Sequence, residues 1–193
     1  IGLARAARAG NPTEATDALV EKALFTTITN VNFNNSTIKA IRTEVEKEKH
    51  RLSAESFDDH PMERIWDGNA DIRSLKSLIL FGLKGMAAYA YHARVLGHTN
   101  REVDAFFYEA LYHLGEDEPQ DVLLPLVFRT GAVNLKCLEL LDHANTSAYG
   151  DPVPTEVPLT IEKGPFIVVS GHDLHDMKLL LEQTDGKGVN IYT

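Results

Sequence analysis

The clearest pattern of apolar positions begins after Asp71. Apolar or small residues recur there at alternating spacings of four and three, namely Leu75, Ile79, Gly82, Met86, Tyr89, Ala93 and Leu96. This seam predicts a long helix packed in a bundle. Gly82 and Gly85 each cost about 1 kcal/mol relative to alanine inside a helix, so we expect a neighbouring helix to approach closely there.

Start and stop signals predict three helices before this seam. The first covers residues 3–9. The second begins with Asn11 as a cap and Glu14 as the partner in a capping box, and it reaches about residue 29. A charged helix follows over about 37–53, and its mixed charges indicate a solvated face.

Two more helices are predicted after the seam. Thr99 and Glu102 indicate a capping box for a helix that reaches about residue 114. Pro119 starts a last helix, which reaches about residue 144 and is kinked or restarted near Pro125.

The pattern changes after residue 145. A Pro-rich stretch leads to an apolar strand over 166–169, a helix over 173–184 and a second apolar strand over 189–192. Continuously apolar strands on either side of a helix indicate a βαβ unit in a parallel sheet that is buried on both faces. Two strands cannot cover themselves, so we expect further strands from sequence beyond these residues.

Composition narrows the class of protein. The chain has 193 residues, 44% of them hydrophobic, which is a globular mixture. Lys and Arg number 19 against 28 Asp and Glu, a net charge of -9 that argues against nucleic acid or an anionic membrane surface as partner.

No apolar run is long enough to cross a bilayer, and we expect a cytoplasmic protein. The chain opens on Ile1 without a signal pattern, and we interpret both ends as cuts.

Cys137 is the single cysteine, which excludes an internal disulfide, a self-contained zinc ribbon and a complete Cys-ligated iron–sulfur cluster. It shares a helical stripe with Leu126, Thr130, Val133 and Leu140, which favours a core residue over a nucleophile. The remaining histidines show no ligand spacing and receive no role: His50, His60, His92, His98, His113 and His143.

The candidate site is the segment Ser170-Gly171-His172-Asp173, at the predicted turn from a parallel strand into a helix. Open α/β sheets bind their ligands at this edge. His172 would stand at the strand tip as a metal ligand, although a structural role remains open from the residues alone. Asp173 can cap the helix or fix the tautomer of His172. Phosphate binding is disfavoured, because one glycine is too few for a dinucleotide motif and Asp173 would repel the anion.

His175 lies three residues after His172, but this spacing alone is a weak metal signal, and an exposed helix residue is the simpler interpretation. A mononuclear metal site of His172, His175 and Asp176 is a weaker option.

The sequence resembles the hybrid cluster proteins, also called hydroxylamine reductases or prismane proteins, over nearly its whole length. The matching runs are residues 25–32, 74–76, 82–90, 140–142, 144–146, 149–150, 169–174, 181–184 and 188–193, and the stretch 53–68 matches least well. The most specific run is Val169-Ser170-Gly171-His172-Asp173-Leu174.

The resemblance implies a mainly α fold, with two helical bundles followed by the first βαβ unit of a Rossmann-like α/β domain. The predicted segments are a partial first bundle (1–57), a connector (58–70), a second bundle (71–146), a Pro-rich linker (147–164) and the truncated start of the α/β domain (165–193).

The resemblance also implies chemistry. Such enzymes reduce hydroxylamine and nitric oxide at a hybrid iron–sulfur–oxygen cluster, with a second iron–sulfur cluster and an electron-donor protein supplying electrons. The histidine of their Ser-Gly-His-Asp motif is an iron ligand, which corresponds to His172 alone. The family's cysteine motif would precede this sequence, and its His-Gly-Glu-Met stretch and ligand cysteines would follow Thr193.

We therefore expect a fragment of a hydroxylamine reductase that by itself binds no cluster and is inactive, because one imidazole cannot hold a four-iron cluster. The alternative is a non-enzymatic helical scaffold or protein-interaction module in which His172 is structural.

Overall fold

The computed structural model describes residues 1–28, 34–53, 55, 57, 61, 63–171 and 173–193. Two compact units divide the chain, Ile1–Asp151 and Pro152–Thr193. The described elements are α1 (Gly2–Ala9), α2 (Glu14–Phe25), α3 (Asn35–Leu52), α4 (Glu63–Trp66), α5 (Ala70–Val95), α6 (Arg101–Leu114), α7 (Gln120–Tyr149), β1 (Phe166–Val168), α8 (Leu174–Thr184) and β2 (Asn190–Tyr192). The prediction of a mainly helical chain is confirmed. None of the described helices is long and apolar enough to span a membrane.

Two predicted helix starts are wrong by one or two residues. Helix α2 is capped by Thr13, whose backbone N–H donates to Thr16 Oγ1 at 2.9 Å, rather than by Asn11. Helix α6 is capped by Asn100, whose side-chain oxygen accepts from the N–H groups of Glu102 and Val103 at 2.9 and 3.3 Å. Both caps have extended backbone, which lets a short side chain turn back over the first turn of the helix.

Helix α7 is continuous through Pro125, so the predicted restart is absent, and it ends at Tyr149 rather than near residue 144. Pro125 is the sixth residue of α7, so it removes one intrahelical N–H donor without ending the helix.

Unit Ile1–Asp151 has a hydrophobic core to which α1, α2, α5, α6 and α7 contribute. The stripe of α5 is broader than the predicted seam, and its buried apolar members are Ile79, Leu80, Leu83, Met86, Ala87, Ala90 and Ala93. Tyr89 was expected in the seam but is 37% exposed. Four members of the predicted stripe of α7 are buried, namely Leu126, Thr130, Val133 and Cys137, and Leu140 is half-buried.

The close approach predicted at two glycines occurs at only one of them. A Cβ atom added to Gly82 would lie 2.7 Å from Thr130 Cγ2 on α7, whereas a Cβ at Gly85 would meet nothing within 4 Å. Gly82 therefore lets α5 and α7 pack closely, and the expectation for Gly85 is wrong within this unit.

One lysine is buried on α5. Lys76 is 5% exposed, and its ammonium donates to the carbonyl oxygens of Leu114 at 3.3 Å and Glu116 at 2.7 Å. These carbonyls lie at and just beyond the end of α6, where a cation compensates both the unpaired acceptors and the helix dipole.

In unit Pro152–Thr193, β1 pairs with β2 in parallel, with Phe166 opposite Asn190 and Val168 opposite Tyr192. Helix α8 connects the two strands. All three residues of β1 are exposed, and α8 buries none of its residues. The predicted order of strand, helix and strand is therefore present. The apolar side chains of β1 are not covered by other residues of this unit.

The contact between α5 and α7 can be tested with a matched pair of substitutions. In the 193-residue chain, Gly85→Ala should raise the free energy of unfolding by about 1 kcal/mol, because it improves helix propensity in open space. Gly82→Ala should lower it by about 1–3 kcal/mol through overpacking against Thr130. Thr130 cannot rotate away freely, because its hydroxyl donates to the carbonyl of Leu126 at 2.8 Å. Urea unfolding followed by circular dichroism measures both, and equal shifts would contradict the close contact.

Candidate functional site

The candidate segment begins where β1 ends. Beyond β1, the N–H of Val169 donates to the carbonyl of Tyr192 at 2.8 Å, so parallel pairing extends one residue past the strand. Gly171 has φ of +63°, in the left-handed region that glycine adopts without steric cost. This glycine produces the sharp turn that the sequence predicted. His172 lies outside the described residues.

Asp173 is the N-cap of α8, as predicted. One carboxylate oxygen accepts from the N–H groups of His175 at 2.8 Å and Asp176 at 3.3 Å. A negative charge at this position stabilises the start of the helix through its dipole. The same charge makes the turn unfavourable for a phosphate, which agrees with the expectation from the sequence.

The weaker metal option stays a prediction, because one of its three residues, His172, lies outside the described residues. His175 is half-buried on α8, and Asp176 is exposed. Among the described residues, no group of three or more His, Cys, Asp or Glu side chains is placed to hold a metal ion. Because His172 is outside those residues, the role predicted for it stays a prediction.

Cys137 is a buried, protonated thiol. Its side chain is fully buried on α7, and Sγ donates to the carbonyl of Met86 at 3.4 Å. Burial, followed by the nearby charges of Glu21 and Asp104, raises the pKa of the thiol to about 12. A thiol of this kind is neither a nucleophile nor a ready metal ligand, which supports the interpretation as a core residue.

Sequence reasoning missed a buried charged cluster, which we call the Arg94 cluster and define as Glu21, Arg94 and Asp104. The guanidinium of Arg94 donates to Glu21 at 2.7 and 3.1 Å and to Asp104 at 3.1 Å. Glu21 and Asp104 are only 2% and 7% exposed. One cation thus joins α2, α5 and α6 inside the unit.

A partly buried hydrogen bond lies nearby. Tyr108 donates from its hydroxyl to Asp17 at 2.5 Å, and both line a cavity of about 460 Å³ together with Asp104. Burial, and then the hydrogen bond to Asp17, raises the pKa of Tyr108 well above its usual value. The phenol therefore stays a donor throughout the ordinary pH range.

Asp104 titrates in an unusual range. Burial raises the pKa of Asp104 to about 8, as do its hydrogen bond to Glu21 and the charge of Glu21, while Arg94 opposes the shift. The guanidinium therefore faces the buried carboxyl groups of Glu21 and Asp104, with the exposed Glu14 3.8 Å away, and burial favours the protonated form of Asp104. The one signal in the sequence was the place of Asp104 beside Val103 and Phe107 on the apolar face of α6.

Comparison with known proteins assigns the chain to a family. A model of the Prismane/CO dehydrogenase family matches residues 1–193. A hydroxylamine reductase of Thermodesulfovibrio yellowstonii is 43% identical over 89% of the chain and 36% of its own length. The one from Bacteroides thetaiotaomicron is 39% identical over 96% of the chain and 38% of its length, and the one from Nitratidesulfovibrio vulgaris is 36% identical over 95% and 39%. The chain thus spans little more than a third of these curated relatives, as expected for a part of such a protein.

The shifted pKa of Asp104 predicts a pH-dependent stability. The folded pKa of about 8 lies above the ordinary value of 3.8, so between these values the folded state holds one proton more than the unfolded state. The stabilisation that the folded state gains from this extra proton is complete below about pH 4 and is lost as the pH rises to about 8. The free energy of unfolding, relative to that of an Asp104→Asn variant, should therefore fall across that window.

Urea unfolding of both proteins at a series of pH values measures this difference. Glu139→Gln on the exposed side of α7 is the control, and its pH profile should follow that of the wild type. Parallel profiles for the wild type and Asp104→Asn would show that Asp104 carries no extra proton.

Proposed function

The chain belongs to the Prismane/CO dehydrogenase family, and from this membership we propose that it is part of a hydroxylamine reductase, an oxidoreductase. The observation that carries the proposal is the alignment of about nine-tenths of the chain with relatives of that name. The intact protein would reduce the N–O bond of a small nitrogenous substrate such as hydroxylamine, or nitric oxide, with electrons from a donor protein. We place it in the cytoplasm, and no observation favours the alternative of a non-enzymatic scaffold.

We propose that the domain organisation follows the family as well. Residues 1–57 and 71–146 would form two helical bundles, and residues 165–193 would open a Rossmann-like α/β domain. The parallel pairing of β1 with β2 supports the second part of this proposal. The exposed apolar residues of β1 support it too, because a strand of this composition is normally covered on both faces.

The cofactors proposed for the intact protein are a hybrid iron–sulfur–oxygen cluster and a second iron–sulfur cluster. The described residues alone do not fit either cluster, since they hold no group of three potential ligands and the thiol of Cys137 is protonated and bonded to Met86. A multi-iron cluster needs several thiolate or comparable ligands. Most ligands would therefore come from outside residues 1–193.

The proposed contribution of this chain is a single imidazole, that of His172, at the tip of β1. The structure describes the residue on either side of it. Gly171 turns the chain at positive φ, and Asp173 ties the following residues to the start of α8 through two backbone N–H groups. A ligand between a tight turn and a helix cap loses little conformational freedom on binding. The positions of Gly171 and Asp173 support the proposal in this way.

The role of His172 can be tested in the intact protein. His172→Ala should lower the bound iron and change the visible absorption spectrum, and hydroxylamine reduction with a chemical reductant should fall with them. His175→Ala, on the first turn of the same helix, should leave the iron content and spectrum unchanged. Iron and spectra unaltered in His172→Ala would refute the ligand role even if activity fell.

A second test concerns the 193-residue chain by itself. After reconstitution with iron and sulfide under reducing conditions, followed by desalting, it should retain no stoichiometric iron and no cluster absorption. The physical reason is the shortage of ligands, since Cys137 becomes available only when the core opens. Retention of a stable chromophore would show that these residues suffice for a cluster.

A further inference from the structure

Helix α7 carries two apolar seams on opposite sides. The first faces the core of unit Ile1–Asp151 and contains Thr130 and Cys137. The second, which we call the outer seam, consists of Leu124, Phe128, Gly131, Leu135 and Leu138, at spacings of four, three, four and three. Its large side chains are exposed, with Phe128 at 72% and Leu135 at 59%. A helix that is apolar on both sides is typical of one buried on both sides.

The two cations in the middle of α7 do not compete for this surface, and the exposed Asp142, four residues after Leu138, marks the C-terminal end of the seam. Arg129 pairs with Glu109, and Lys136 pairs with Glu102, so both cations are engaged by α6. The outer seam itself contains no charged residue. Its occupant must therefore be apolar along its contact face.

The spacing of the outer seam indicates the shape of that occupant. Alternation of four and three residues is the pattern by which one helix receives the side chains of another. A Cβ at Gly131, in the middle of the seam, would meet nothing within 4 Å, so a helix backbone can come close there. Helix α5 repeats this arrangement with Leu78 and Phe81 at 59% exposure each and with Gly85 in open space.

We propose that the outer seam of α7 docks an α-helix of the same polypeptide, contributed by residues outside the 193 described by this sequence. Only 36% of the Thermodesulfovibrio yellowstonii reductase is matched, and the remainder of that protein is ample for such a helix. A second copy of the chain is a poorer occupant, because each copy carries a net charge of -9 and the two would repel. The inference rests on the proposed function only for the existence of a longer chain.

Hydroxyl-radical footprinting with mass spectrometry tests the proposal without any substitution. Phe128 should be modified readily in the 193-residue chain at low concentration. In the full-length protein, its modification should be lost and should fall to the level of Phe106, which is 1% exposed and serves as the protected reference in both samples. The readout is solvent access, so it is independent of iron content and of hydroxylamine reduction.

Any of three other footprinting results would overturn the proposal. Equal modification of Phe128 in both proteins would mean that nothing covers the seam. Protection in the 193-residue chain that disappears on dilution would assign the seam to a second copy. Protection in that chain at every concentration would assign the cover to residues within it.

A pair of variants adds an energetic test. Leu135→Asp lies on the outer seam, and Ala132→Asp lies on exposed α7 surface outside both seams. In the 193-residue chain, the two should shift the urea midpoint by similar amounts. In the full-length protein, Leu135→Asp should shift it further than Ala132→Asp, because a carboxylate would then be buried against apolar side chains. Similar shifts in both proteins would contradict docking at this seam. If the full-length variant does not fold, the footprinting of the wild type decides between the outcomes.

Discussion

The helical unit depends on the direct contact of α5 with α7, which is possible because Gly82 has no side chain where Thr130 approaches. Two long helices in such contact bury Met86 and Cys137 between them. The same contact fixes the rotation of each helix about its axis. One side of α7 must then face the core, and the outer seam must face away from it. Gly82 thus determines which side chains of α7 lie in the core and which lie on the surface of the unit.

Buried charge adds directional constraints to this apolar packing. Arg94 holds α2 and α6 against α5 through Glu21 and Asp104, and Lys76 binds the carbonyls at the end of α6. Hydrophobic contacts tolerate a small rotation of a helix, whereas a guanidinium shared by two buried carboxyl groups does not. Because removal of Arg94 or Glu21 would leave the other charge buried without compensation, the Arg94 cluster restricts the alternative arrangements of the helices.

Much of the fold could be predicted from local patterns, and the failures have physical causes. The helices around Ile79 and Cys137 follow from repeated apolar spacing, and the cap at Asp173 from its place before an apolar run. Helix starts moved from Asn11 to Thr13 because several nearby polar residues can cap, and only three-dimensional context selects one. The Arg94 cluster joins residues up to 83 positions apart in sequence, between Glu21 and Asp104, so no spacing rule reveals it. For the site, the turn at Gly171 was predictable, while the role of His172 came from resemblance alone.

The burial of Cys137 has a consequence for the chemistry of the helical unit. Thiolates, not thiols, are the species that oxidants and electrophiles attack. With a pKa of about 12, this sulfur is almost wholly in its unreactive form at physiological pH. The thiol is therefore protected from oxidation while the core is closed. The rate at which an alkylating reagent modifies it then reports how often the core opens to solvent.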